Sequence, residues 1–254
     1  MHAFLADATV MAQALSMDFS KNTPLQSITL YLFFAGTVAM GAGALYFFLL
    51  RNNVEPVYRS TMVVAGLVCA IACFHYFKMT HVYQESGGKD FPTALRYIDW
   101  LFTTPLLLIK FPLLLRMGDR GTKFFLQLVV LDVAMIVTAF IAETSVVDTE
   151  RWWTFFLMAC VCEALIVGVL FMSLGQAIAE APAPLARSLE TMRLFILIGW
   201  AVYPIGFLMA RSGNGEYREI VYNISDVINK VGFGLVAYHG IQAMSHSQES
   251  HGRG

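Results

Sequence analysis

Phe124-Phe125-Leu126-Gln127-Leu128-Val129-Val130-Leu131-Asp132-Val133-Ala134-Met135-Ile136-Val137-Thr138-Ala139-Phe140-Ile141-Ala142 is apolar apart from Gln127, Asp132 and Thr138. About 20 such residues in a helix cross the hydrocarbon core of a bilayer, so this stretch and its flanks predict a membrane-spanning helix at 122–144. Runs of the same kind, divided by charged or Pro/Gly-rich punctuation, predict further helices at 25–50, 58–84, 94–116, 152–177, 184–211 and 217–244. The breaks are short: Arg51-Asn52-Asn53-Val54-Glu55-Pro56 closes the first run, and Ala181-Pro182-Ala183-Pro184 divides the fifth from the sixth. Helices so joined pack as neighbours. The expected fold is an all-α, seven-transmembrane-helix bundle over 24–245, with an N-terminal tail at 1–23 and a C-terminal tail at 246–254.

Composition agrees: 57% of the 254 residues are hydrophobic and 14% charged, which excludes a soluble or disordered chain. A net charge of −1 offers nothing to nucleic acid. Cys69, Cys73, Cys160 and Cys162 lie in apolar stretches without the paired spacing of a zinc site, so they read as core residues and no metal is expected. Lys and Arg are retained on the cytoplasmic side, which sets the orientation. With the N-terminus outside and the C-terminus cytoplasmic, the inner segments hold Arg51, Arg59, Arg116, Arg120, Lys123, Arg187, Arg193 and Arg253 against five acids. The outer segments then hold Lys21, Lys78, Lys89, Arg151, Arg211 and Arg218 against nine acids from Asp7 to Glu219. Residues 1–23 lack the basic start and compact apolar core of a secretory signal and read as an extracellular or periplasmic tail.

Seven ionisable residues remain inside the expected spans: Arg96, Asp99, Lys110, Asp132, Glu163, Asp226 and Lys230. Each costs ~2.5–3.5 kcal/mol on insertion scales, so each is a functional candidate. Arg96, Asp99, Thr103 and Lys110 fall on one stripe of the third helix, and Asp226 and Lys230, four apart, share a face of the last. A polar line through a membrane is a proton or ion path. A desolvated lysine amine is also a nucleophile that forms a Schiff base with an aldehyde, and the protonated imine needs a carboxylate counterion. Asp226 and Asp99 supply two, with Arg96 to balance the second negative charge.

Arg96-Tyr97-Ile98-Asp99-Trp100-Leu101-Phe102-Thr103-Thr104-Pro105-Leu106-Leu107 resembles the third helix of microbial rhodopsins, and Asp226-Val227-Ile228-Asn229-Lys230-Val231-Gly232-Phe233-Gly234 resembles their retinal-lysine helix. Trp200-Ala201-Val202-Tyr203-Pro204 resembles their retinal-ring clamp. The likeness covers residues 25–245 and is greatest to the proteorhodopsin branch, whose second-helix histidine is matched by His75. It implies all-trans retinal on Lys230, with Asp99 as counterion and proton acceptor, His75 as its partner, Asp226 as second counterion and Arg96 tuning both. It implies a pocket formed by Trp100, Thr104, Leu107, Met135, Ile136, Glu163, Trp200, Tyr203, Pro204 and Phe207, and, from Leu107, green absorption.

Eleven residues after Asp99, where this branch generally has a carboxylate, stands Lys110, as in a minority of otherwise similar pumps; it is the expected proton donor, with snorkelling toward Arg116 as the alternative. Glu163 falls where the family usually has a large apolar or aromatic residue near the retinal ring, and either tunes the colour or stays protonated and hydrogen-bonded or points to a neighbouring subunit. Arg218 occupies the position of one acid of the archaeal proton-release pair, and Phe156 that of the glycine of carotenoid-binding relatives, so a carotenoid antenna is not expected. The resemblance implies a light-driven outward proton pump rather than an enzyme, a multi-pass protein of a bacterial inner membrane assembled as a homo-oligomer, trimer or pentamer. The alternative is a retinal photosensor signalling to a partner protein.

Overall fold

The computed structural model describes residues 22–211 and 213–251. Helix α1 (Pro24–Leu50) begins on a capping box, in which Thr23 Oγ1 accepts from the Gln26 amide while Gln26 Oε1 accepts from the Thr23 amide. It is followed by α2 (Arg59–Glu85), and by α3 (Thr93–Leu108) with α4 (Lys110–Leu114) as the third span. The fourth and fifth spans are α5 (Gly118–Glu143) and α6 (Glu150–Ala179); α7 (Ala183–Leu194) and α8 (Trp200–Ala210) make the sixth, and α9 (Gly215–Val227) and α10 (Phe233–His251) the seventh. Each span packs on the next and the seventh returns to the first, closing a ring. The face on which α1 begins is called the N-face below, and the face on which α10 ends the C-face.

The surface is inverted relative to a water-soluble protein. Leu49 is 75% and Met172 80% exposed on the outside of the ring, whereas Arg96, Asp99, Lys110, Asp132, Asp226 and Lys230 are buried within it. Such a coat is stable only against lipid, and the protein is a multi-pass membrane protein. Among the described residues, six helices are long and apolar enough to cross a bilayer by length and composition. The seventh is less apolar because Arg218, Glu219, Asp226 and Lys230 all lie on it, turned inward.

Three expected helices depart from regularity. The third, expected unbroken over 94–116, is interrupted at Ile109, because Pro112 has no N–H for the Leu108 carbonyl and its ring crowds that carbonyl. The sixth and seventh each contain a π-helical turn, at Phe195–Gly199 and Ile228–Gly232, of the kind found at functional sites. The seventh also continues through His251, beyond the expected 244. The expected tail at 1–23 lies almost wholly outside the described residues, as does the end of the C-terminal one.

Candidate functional site

Lys230 lies in the π-turn of the seventh span with its Nζ 3.0 Å from Asp99 Oδ2 and 3.0 Å from Asp226 Oδ2. The third and seventh spans thus bring together the pair and the stripe expected from spacing. The two carboxylates are held differently. Asp226 Oδ1 accepts from Tyr203 Oη (2.6 Å) and Trp100 Nε1 (3.1 Å), and its Oδ2 from Tyr76 Oη (2.9 Å) and Arg96 Nη1 (3.4 Å). Neither oxygen of Asp99 receives a directed hydrogen bond among the described residues. His75 Nδ1 donates to the Ile71 carbonyl at 2.9 Å and is 3.7 Å from Asp99 Oδ1, so it neighbours the carboxylate without donating a hydrogen bond to it. The Thr103 hydroxyl donates to the Asp99 backbone carbonyl at 2.8 Å.

An apolar cavity leads from Lys230 across the bundle to the fourth and fifth spans. Every residue expected to surround retinal lines it: Trp100, Thr104, Leu107, Met135, Ile136, Glu163, Trp200, Tyr203, Pro204 and Phe207. Tyr97, Phe156, Cys160 and Asn229 also face it. Phe156 stacks on Phe207 with centroids 4.8 Å apart, and Trp152 stacks on the other ring pair members, packing the N-face side of the fifth and sixth spans with aromatic rings. Thr104 Oγ1 lies 2.8 Å from Asp132 Oδ2, which ties the third span to the fourth behind the cavity wall. A long apolar slot ending on a buried amine between two carboxylates fits a polyene aldehyde attached through that amine.

Lys110 stands in the C-face half. Its Nζ is fully buried, has no hydrogen-bond partner among the described residues, and lies 5.0 Å from the centroid of the Phe233 ring. The amine therefore points inward and does not snorkel.

The N-face half corrects the sequence reading, which counted Glu143, Arg218 and Glu219 with the outer loop charges. Arg218 and Glu219 are buried. Arg96 Nη2 donates to Glu219 Oε2 at 2.6 Å and to Asn223 Oδ1 at 2.8 Å, Arg218 pairs with both Glu219 and Glu143, and Tyr97 Oη donates to Glu143 Oε2 at 3.2 Å. The missed signal was register: Glu219, Asn223, Asp226 and Lys230 repeat at helical spacing along one face of the seventh span. Tyr76 and Asn229, next to His75 and Lys230 in the sequence, were not singled out because an uncharged polar residue in an apolar run is a weak signal.

Fold and site together define a seven-helix membrane protein in which a buried lysine, Lys230, between two carboxylates closes a long apolar slot. The bacteriorhodopsin-like protein family matches residues 27–244, and the chain belongs to it: it is a retinal-based microbial rhodopsin. The green-light absorbing proteorhodopsin of the gamma-proteobacterium EBAC31A08 is 32% identical over 213 residues, 82% of this chain and 84% of that one. Among solved structures, Exiguobacterium sibiricum rhodopsin is 43% identical with a TM-score of 0.83, covering 88% of this chain and 99% of its own. Xanthorhodopsin, described as a light-driven ion pump with dual chromophore, is 29% identical with a TM-score of 0.81, covering 90% and 98%.

Proposed function

We propose that the protein is a light-driven proton pump that moves protons from the C-face, cytoplasmic, to the N-face, outside a bacterial inner membrane. The observation that carries this reading is the asymmetry around Lys230: one carboxylate saturated with donors, the other free, both at 3.0 Å. Retinal bound through Lys230 supplies light absorption and an isomerisation that changes the direction and basicity of the attached nitrogen. Asp99 accepts the proton from the Lys230 nitrogen, because its oxygens have lone pairs to spare. Asp226 stays an anion, since protonating it would set its new O–H against donors from Tyr203, Trp100, Tyr76 and Arg96. Arg96 holds that anion and links it to Glu219, and His75 adjusts the charge beside Asp99. Lys110 returns a proton to the Lys230 nitrogen from the C-face.

The reading includes assembly as a homo-oligomer, and the aromatic packing around Phe156 supports a site without a carotenoid antenna. The test is to add all-trans retinal to membranes containing the protein and to illuminate sealed cells. A visible band should form, and the medium should acidify in a manner abolished by a protonophore. A band without proton movement overturns the pump; alkalinisation of the medium overturns its direction.

A further inference from the structure

At the end of the cavity away from Lys230, the fifth span presents Phe156, Ala159, Cys160 and Glu163, which recur at helical spacing and form one wall. Most polar side chains around the cavity are engaged by the protein itself. Tyr97 Oη donates to Glu143, Trp100 Nε1 and Tyr203 Oη donate to Asp226, and the Thr104 hydroxyl is engaged by the Trp100 carbonyl and Asp132. Glu163 differs: its carboxyl makes no hydrogen bond or ion pair among the described residues. Cys160, one turn away on the same face, brings only a thiol, which is a weak partner. A carboxyl so placed is unfavourable in either protonation state, as an acceptor without a donor or as a donor without an acceptor. Ala139, Ala159 and Cys160, which share this end of the cavity, are small and leave room beside it.

We infer that Glu163 selects the chromophore, and that the cavity takes a retinal carrying a hydroxyl on its ring in preference to the unsubstituted aldehyde. Both aldehydes attach alike: the aldehyde carbon forms a double bond to Lys230 Nζ and its oxygen leaves as water. They differ only at the opposite end. A hydroxyl is both a donor and an acceptor. It donates to Glu163 as a carboxylate and accepts from it as a carboxylic acid, so it meets either state without a change of protonation. A ring ketone serves the acid alone, and an unsubstituted ring leaves the carboxyl without a partner. A site whose polar group is matched by a ligand hydroxyl discriminates against the ligand lacking it, because that ligand leaves the protein group unpaired. Glu163 is partly exposed rather than sealed, so the preference is about tenfold, the worth of one hydrogen bond of ~1.4 kcal/mol. This rests on attachment of retinal at Lys230 and adds to it the chemical class of the ring.

The experiment loads membranes containing the chromophore-free protein with a limiting mixture of all-trans retinal and all-trans retinal hydroxylated at ring carbon three, brought to equal amounts in the membrane. A second series uses the isomer hydroxylated at ring carbon four. Bound chromophore is released with hydroxylamine, and the two oximes are quantified by chromatography. In at least one series the parent should be enriched about tenfold in the hydroxylated form. Glu163→Leu, whose wall offers the hydroxyl no partner, should lose the enrichment, and Glu163→Gln, which keeps a donor and an acceptor, should retain most of it. Equal incorporation by the parent in both series overturns the inference, whether or not any variant folds, and so does undiminished enrichment in a normally coloured Glu163→Leu. Failure of every aldehyde to attach overturns the retinal reading of Lys230 with it, whereas full occupancy without preference overturns this inference alone.

Discussion

Asp99 and Asp226 stand at the same 3.0 Å from Lys230 Nζ, and the difference between them lies in their other neighbours. Lys230→Ala removes the amine on which the slot ends, and the variant should be folded and colourless after retinal is added; a visible band of normal intensity would show that the attachment lies elsewhere. With Lys230 intact and retinal attached there as proposed, protonating Asp99 removes negative charge beside that nitrogen and should shift absorption to the red on acidification. His75 Nδ1 lies 3.7 Å from Asp99 Oδ1, so its removal changes the immediate surroundings of that carboxylate. His75→Ala should displace the midpoint of the red shift, and an unmoved midpoint reduces His75 to packing. Glu163 lines the far part of the cavity, where a polar group stabilises positive charge that moves toward the ring on excitation. Glu163→Leu should therefore absorb further to the blue. These residues were legible because a charge in an apolar run is conspicuous. Glu143, Arg218 and Glu219 were not, since within a turn of a span's end a charge reads as loop until its helical register is traced.

At the scale of elements, seven apolar runs gave seven helices with ends shifted by a few residues, because each run is as long as the hydrocarbon it crosses. What apolar periodicity does not encode is the irregular turn. The π-turns at Phe195–Gly199 and Ile228–Gly232 meet across the sixth and seventh spans, where Asn229 Nδ2 donates to the Gly199 carbonyl at 3.0 Å and lies 3.3 Å from Tyr203 Oη. Asn229 thus joins the backbone of the sixth span to the tyrosine that holds Asp226. Gly199 is needed there because a Cβ would collide with Asn229 Oδ1. Gly199→Ala forces that contact apart, an overpacking worth ~1–3 kcal/mol, and should lower the midpoint of thermal bleaching. Adding Asn229→Ala removes the clash and should recover part of the loss, the remainder being the unpaired carbonyl. If Gly199→Ala bleaches at the parental temperature, the two π-turns are not coupled through this contact.

Across the whole molecule the polar groups divide unequally about Lys230. The N-face half holds Arg96, Glu219, Arg218, Glu143, Tyr76, Tyr97 and Asn223 in continuous contact. The C-face half places the buried Lys110 amine among apolar residues including Leu107, Leu108, Phe111, Leu114 and Phe233. In the proposed direction of transport, a proton leaving toward the N-face enters a hydrogen-bonded region, whereas one arriving from the C-face has an apolar stretch to cross, and Lys110 is its proposed carrier. An ammonium held there without a counterion costs several kcal/mol, so loading the amine requires the C-face to open, and its proton then moves readily to the Lys230 nitrogen. Lys110 follows Asp99 by eleven residues, about 16 Å along a helix at ~1.5 Å per residue, too far for direct transfer; opening must also admit water between them. Lys110→Ala should consequently slow reprotonation of the Lys230 nitrogen without slowing proton transfer to Asp99. The delay should grow as pH rises and free protons become scarce, and small diffusible acids that enter the widened apolar passage should restore the rate. Flash photolysis over a range of pH, with and without such an acid, measures all three effects. Identical decay in variant and parent would mean that water reaches Lys230 from the C-face by a route that does not need the amine.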